Sequence, residues 1–422
     1  MLTKGLIALV FPAGTAFFYL LITGEWRRWR EFRLASGFLL FLVIAAPWHI
    51  LAGLRNMGGQ GGHGFFWFYF VNEHFLRFLG KRYPRDYNKL PWALYWSLHL
   101  VWLFPWSFYL PAAIRTAVET RKSRSTFQDR TRLMCYILAG FVLIFFAVST
   151  NQEYYTLPAY FPVVMLLAEA TSHYERKECD TRKREGWLLR ASAAVIAAIG
   201  VAAAITLLTL LWQSRQLPFE PDIGNVLAKH DMASDTLSTS HMLDLSYASF
   251  AALRLPAGLA AITLLIAPAV SFLLRLRRRH YAATWMLGLG MAVFLVAAHI
   301  ALGRFGPYLS SKDLAEKISA RQQPGDRVMI YGDQAFGSSL LVYLQRPIEL
   351  VEGRTTSMWF GSTFPDAPHI YLSDSDLLQA WNSRGRIFLF VPPHLKSKVD
   401  AILPQRSVVA EVSGKYVYSN RP

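Results

Sequence analysis

The sequence predicts a polytopic α-helical membrane protein, with about eight transmembrane helices and a C-terminal extracytoplasmic α/β domain. Three observations lead there. Long apolar runs recur along residues 5–303, basic residues concentrate in every second connecting loop, and residues 307–422 change to short alternating helix and strand patterns.

The apolar runs are 5–23, 34–54, 92–114, 133–149, 158–172, 191–213, 255–274 and 281–303. A helix crossing the hydrocarbon core needs roughly 20 such residues, so 158–172 is the shortest candidate. The loops after the first, third, fifth and seventh runs carry the basic clusters, from Arg27, Arg28, Arg30 and Arg33 to Arg275, Arg277, Arg278 and Arg279. The alternate loops are poorer in basic residues, and 150–157 has none. Positively charged loops stay cytoplasmic, which places the C-terminus outside. The expected division is a transmembrane domain over 1–303 and an extracytoplasmic α/β domain over 307–422.

Composition agrees with this reading. The formal net charge of +16 would suggest nucleic acid in a soluble protein. Here much of the excess falls in short loops, where it orients helices and meets anionic lipid headgroups, so no nucleic-acid partner is expected. Cys135 in a span and Cys179 in a cytoplasmic loop are not placed to form a structural disulfide.

The external loop 55–91 is too long for a simple connector and is therefore a functional candidate. It opens on Gly58-Gly59-Gln60-Gly61-Gly62-His63-Gly64, continues as Phe65-Phe66-Trp67-Phe68-Tyr69-Phe70, and reaches Asn72-Glu73-His74-Phe75-Leu76-Arg77-Phe78 before the basic Lys81-Arg82-Tyr83-Pro84-Arg85. At helical spacing residues 65–79 form an interfacial helix with one aromatic face. An aromatic belt that only anchors the loop is the plainer reading. The external loop 150–157 leads into Pro158-Ala159-Tyr160-Phe161-Pro162, whose prolines impose an irregular start on the following span. Segment 214–254 is polar, with a short helix expected at Leu227-Ala228-Lys229-His230.

In the tail, Ser311–Ile318 reads as a capped amphipathic helix, with Glu316 following in its first turns. Strands are expected at 327–331, 348–351, 370–372, 386–391, 408–412 and 416–418, with helices at 338–343 and 374–383. That alternation predicts a small α/β domain with a largely parallel sheet. Gly332 and Gly337 do not make a dinucleotide fingerprint.

No HExxH, paired CxxC, phosphate-binding Gly-Lys loop or GxSxG occurs, which removes metalloprotease, phosphate-loop and serine-hydrolase readings. The remaining chemistry is external and close to the membrane. Lys4 lies where a helix begins and has donors for a phosphate; a snorkelling interface lysine is the alternative. Arg77, Lys81, Arg82 and Arg85 set cations beside an aromatic surface, a composition suited to a lipid-linked phosphate, or simply to headgroups. His74 is a candidate ligand for a divalent metal or a proton carrier. Adjacent Glu73 points elsewhere on a helix and does not complete a site with it. Tyr154 and Tyr155 are interfacial tyrosines or phosphate donors. His49, His99 and His299 are expected to be satisfied by packing.

On these residues the chain resembles the GT-C membrane glycosyltransferases, in the branch of protein O-mannosyltransferases and lipid A aminoarabinose transferases. The resemblance rests on Leu2-Thr3-Lys4-Gly5, Ala46-Pro47-Trp48, the Asn72–Phe78 segment and Tyr155-Thr156-Leu157-Pro158-Ala159-Tyr160-Phe161-Pro162, in that order over residues 1–172. It implies transfer of a sugar from a polyprenyl-phosphate carrier to an extracytoplasmic lipid, glycan or protein, in a bacterial inner membrane. Carried over, His74 lies near a metal or the carrier phosphate, Arg77 binds that phosphate and Tyr155 lies near it; Lys4 is the further candidate from its place at the start of a helix. The resemblance also implies a catalytic aspartate in the first external loop of the family, which has no counterpart after Met1 here. The expectation is therefore a chain lacking the N-terminal part that carries this aspartate, and inactive alone. A transporter or flippase for a lipid-linked substrate is the competing class, disfavoured by spans nearly free of charge and by the lack of an internal repeat.

Overall fold

The computed structural model describes residues 1–85, 90–120, 122–149, 153–181, 186–227, 245–355 and 358–422. The chain divides into two compact units, Met1–Ile199 with Pro268–Leu287, and Gly200–Ala267 with Gly288–Pro422.

The first unit begins with α1 (Ile7–Thr23) and α2 (Leu34–Arg55), followed by a π-helix at Trp67–Leu76. Next come α3 (Trp92–Trp102), α4 (Leu110–Thr120), α5 (Phe127–Val148), α6 (Leu157–Thr181) and the start of α7 (Trp187–Gln213). After the short α8 (Gly224–Leu227), α9 (Arg254–Leu276) and α10 (His280–Arg304) each have residues in both units.

Among the described residues, five helices are long and apolar enough to cross a membrane: α2, α5, α7, α9 and α10. Their apolar side chains are widely exposed. Phe38, Leu39, Val43 and Leu51 on α2 each keep more than half of their surface. Water would not tolerate such a face, whereas a lipid tail does.

The other three expected spans differ in detail. The first is the 17-residue α1. Residues 92–114 do not form one straight span, because α3 and the helix from Trp106 to Thr120 meet at 100°. Pro105 stands at that break, where its ring replaces the N–H that would continue the ladder. Residues 158–172 lie inside the 25-residue α6, whose second half carries Glu169, Glu175 and Arg176.

Close ring packing holds α1 to α5. Phe11 meets Phe141, Phe145 and Phe146 edge-on at 5.4–5.9 Å. Gly14 admits Phe141 so closely that a Cβ would stand 2.3 Å from its ring. At the other end of α5, a capping box pairs Thr126 with Asp129, and Arg132 reaches both Asp129 (3.0 Å) and Glu169 of α6. In a second charged tie the arginine is fully buried. Arg275 of α9 donates to Glu175 of α6 at 2.7 Å and to Thr284 of α10 at 2.8 Å, over the ring of Tyr109. Breaking one partner of such a buried pair costs about 3–5 kcal/mol.

The second unit carries the sheet. It follows α11 (Gly306–Leu309) and α12 (Lys312–Ser319), and its strands are β1 (Arg327–Tyr331), β2 (Glu349–Val351), β3 (Tyr371–Leu372), β4 (Ile387–Val391), β5 (Ser407–Val412) and β6 (Lys415–Ser419). The strand order is β3-β2-β1-β4-β6-β5. The first four are parallel and the β5–β6 hairpin is antiparallel. Helices α12 and α13 (Ser338–Leu344) cover one face over Ile330, Leu350 and Phe388. Helices α14 (Asp374–Trp381) and α15 (Lys396–Ile402) cover the other over Met329, Val351 and Leu389. All six expected strands occur, within one residue at their ends.

Two tail details depart from the sequence reading. Ser311 makes no side-chain cap; its own N–H donates to Ser339 Oγ at 2.7 Å. Lys415 is buried on β6 and donates to the carbonyls of Pro307, Tyr308 and Ser310, so a strand residue closes the end of α11. Burial pushes its pKa down to about 8, because the charged ammonium loses water there. Of the short helix expected at 227–230, Ala228–His230 lies outside the described residues.

Candidate functional site

The loop after α2 forms the helix expected over 65–79, but with the wide turn of a π-helix over Trp67–Leu76. Such turns often occur at functional sites. Arg77 N–H donates five residues back, to the carbonyl of Asn72. The aromatic run stacks at intervals of four, Phe65 on Tyr69 at 5.4 Å and Phe66 on Phe70 at 6.2 Å. Gly53 of α2 lets Phe66 in, since a Cβ there would lie 2.2 Å from its ring.

His74 is held from both sides of its ring. Its Nδ1 bonds the carbonyl of Tyr69, and its Nε2 accepts the backbone N–H of Leu6 at 2.9 Å. An N–H donor at Nε2 and an acceptor at Nδ1 fix the neutral tautomer with its proton on Nδ1. The lone pair that a metal would use accepts the Leu6 N–H here, so a metal at His74 would displace that bond. Among the described residues no three His, Cys, Asp or Glu side chains gather into a metal site. His74 joins the start of α1 to the π-helix.

Gly5 makes that contact possible. Its φ is +80°, and an added Cβ would lie 2.5 Å from His74 Nε2. Only glycine takes this conformation without strain while allowing the imidazole so close. The Thr3-Lys4-Gly5 motif thus has a structural explanation: its glycine turns the chain so that Leu6 meets His74. Lys4, one residue earlier, is exposed.

One helical turn beyond His74, Arg77 donates from one guanidinium nitrogen to Tyr155 Oη at 2.9 Å and from the other to Glu73 at 2.9 Å. Arg82 takes the second oxygen of Glu73 at 2.7 Å and also donates to the carbonyl of Pro84. Glu73 therefore fixes two cations in place and is committed to them. Fully buried Asn72 exchanges both amide bonds with the backbone of Tyr83, at 2.7 and 2.9 Å, which folds the basic segment back onto the helix. Sequence reasoning named Glu73 and Arg82 without pairing them and gave Asn72 no role. A buried asparagine beside a basic loop was the available signal. Of the other acids near the site, Asp86 and the side chain of Glu153 lie outside the described residues.

Three of the four sequence candidates are thus brought together: His74, Arg77 and Tyr155 are linked directly or through one turn of helix. Lys4 is exposed, two residues before the Leu6 that bonds His74. Of the histidines expected to be satisfied by packing, His49 bonds the carbonyl of Ala45 at 2.7 Å and His99 bonds Tyr160 Oη at 3.0 Å.

An apolar groove of about 960 Å³ runs along α1. Ile7, which follows Leu6, and Pro158, three residues after Tyr155, line it, with Phe11, Thr15 and Leu138, and it reaches Trp26 and Phe32 past the far end of α1. The 17 residues of α1 give it a length of about 25 Å.

The fold and this cluster define a polytopic membrane protein with a C-terminal α/β domain, a cationic site and an apolar groove. The similarity is to the undecaprenyl-phosphate aminoarabinose transferases, whose GT-C fold the chain shares. The crystal structure of ArnT from Cupriavidus metallidurans bound to undecaprenyl phosphate aligns with 99% of this chain and 66% of its own, at a TM-score of 0.70 and 23% identity. Its apo structure gives a TM-score of 0.68 at 22% identity.

In sequence, the chain is 30% identical over 206 residues to the undecaprenyl phosphate-alpha-4-amino-4-deoxy-L-arabinose arabinosyl transferase of Pseudomonas aeruginosa (strain UCBPP-PA14), covering 48% of this chain and 34% of that protein. It is 34% identical over 174 residues to the enzyme of the same name from Aeromonas salmonicida, covering 40% of this chain and 28% of the relative. The matches thus span about a third of these relatives' length. No protein-family profile matches the chain.

Proposed function

We propose that this chain binds a polyprenyl-phosphate-linked sugar in a bacterial inner membrane and serves its transfer to an acceptor outside the cytoplasm. The observation that carries this reading is the Arg77–Tyr155 pair at the end of the π-helix whose His74 holds Leu6, the residue before the groove-lining Ile7. The groove suits a polyprenyl tail, and the guanidinium and phenol suit its phosphate. In such a transfer the acceptor oxygen bonds the anomeric carbon as the bond to the phosphate oxygen breaks. Negative charge then grows on the leaving lipid phosphate. Fixed donors aimed there lower the barrier without reorganising. Arg77 and Tyr155 supply them, and Lys4 adds an exposed cation. Glu73 is not the acceptor's base, since both its oxygens hold arginines. The divalent metal suggested by the resemblance would displace the Leu6 N–H from His74, and no step is assigned to one.

A polyprenyl phosphate bearing a diazirine in its tail tests the groove. Crosslinks are expected on α1 and α5, at residues such as Phe11 and Leu138. Crosslinks spread evenly over the lipid-facing helices α7, α9 and α10 would refute the assignment.

The charge pattern supports an α/β domain outside the cytoplasm. With Cys135 and Cys179 replaced, single cysteines at Ser125 and at exposed Ser397 are expected to react oppositely with an impermeant thiol reagent applied from outside. Ser397 should label and Ser125 should not. Equal labelling would overturn the topology.

A further inference from the structure

A second cavity lies at the opposite end of the π-helix from Arg77. It measures about 260 Å³ and is lined by Asn56, Gly58, Gly62, Gly64, Phe66 and Trp67, with few other residues. It accounts for the two features of the external loop that the carrier site leaves unused, the glycine-rich stretch and the start of the aromatic run. The glycines are structural requirements of the cavity. Gly58 and Gly62 have φ of 131° and 76°, and a Cβ on Gly64 would lie 2.8 Å from the carbonyl of Asn56. The loop is tied across by Gly59 N–H to the carbonyl of His63 at 3.1 Å, and Phe65 N–H donates to that of Asn56 at 2.8 Å. Trp67 is held by His63, which stacks on it at 4.0 Å with the planes 12° apart.

We infer that this cavity binds one saccharide ring of the acceptor. The face of Trp67 not covered by His63 suits the C–H face of a sugar, and Asn56 Oδ1, whose Nδ2 is held by the Ala52 carbonyl at 2.9 Å, suits a hydroxyl. The absence of side chains at the glycines is what leaves room for a ring. The position separates acceptor from donor. Trp67 and Arg77 are ten residues apart along one helix, roughly 10–15 Å of axis. A donor sugar joined directly to the carrier phosphate stays within one ring of Arg77, so a ring at Trp67 belongs to another molecule. This inference rests on the carrier-phosphate reading above for the word acceptor, and on the cavity alone for saccharide binding.

Saturation-transfer NMR tests it, using the full chain in a detergent without a sugar headgroup and methyl β-glucopyranoside as the probe. Transfer to the ring protons is expected with the unmodified chain and with Arg77→Ala. It should fall at least fivefold in Trp67→Leu and in Asn56→Leu, which keeps the ring walls. Binding of bare polyprenyl phosphate should survive in Trp67→Leu and Asn56→Leu, showing that both remain folded. Absence of transfer to the unmodified chain, or undiminished transfer in both cavity variants, would overturn the inference. Loss of polyprenyl-phosphate binding from every chain with saccharide transfer intact would overturn only the carrier reading.

Discussion

Arg77→Ala is expected to weaken binding of a polyprenyl phosphate roughly 10- to 150-fold, the equivalent of about 1.5–3 kcal/mol for a charge-assisted hydrogen bond. The loss should report on the phosphate and not on a collapsed site. Glu73 keeps Arg82 at 2.7 Å when Arg77 is removed, so its carboxylate is not left unpaired. Tyr155→Phe, which deletes only the phenol oxygen that accepts from Arg77, should cost less than Arg77→Ala. Both constants come from titrating the purified chain with a fluorescent polyprenyl phosphate at fixed salt, since ionic strength screens such contacts. Wild-type affinity in both variants would remove the site.

Gly5→Ala is expected to destabilise the first unit by about 2–4 kcal/mol. About 1–2 of this comes from holding an L-residue in the left-handed region and the rest from the lost Leu6–His74 hydrogen bond and the clash at 2.5 Å. Thermal unfolding measures it. A double-mutant cycle shows whether the cost runs through His74, because His74→Ala makes room for the new methyl. In the His74→Ala background, Gly5→Ala should therefore cost distinctly less than in the native one. Equal costs in both backgrounds would show that the two residues are not coupled. Carrier binding should fall as well, since Leu6 and Lys4 are then no longer anchored to the π-helix.

Much of the architecture was legible along the chain. The apolar runs gave the helices because lipid imposes both a length and a composition on them. The six strands of the tail were legible because short β-branched and aromatic runs bounded by turn residues leave few other options. The site was legible as a set of residues and not as a geometry. Lys4, His74, Arg77 and Tyr155 were named from their types, their external loops and a family resemblance. Their roles depended on partners 68 and 78 positions away, as for Leu6 with His74 and Tyr155 with Arg77.

Those long-range partners mark the division. Hydropathy, charge bias and the order of motifs are properties of neighbouring residues, so the sequence by itself determined the helical membrane class, the α/β tail and the candidate residues of the site. Tertiary structure alone decided what individual polar groups do, because a hydrogen bond uses a particular lone pair and direction. It gave His74 a backbone N–H as partner, and it committed Glu73 to two arginines. It also bent residues 92–114 by 100° at a proline and enclosed Arg275, which reads in sequence as one of four basic loop residues, against Glu175 and Thr284. A charge count orients a loop, but it cannot show which cation will leave water to pair with a carboxylate one hundred residues away.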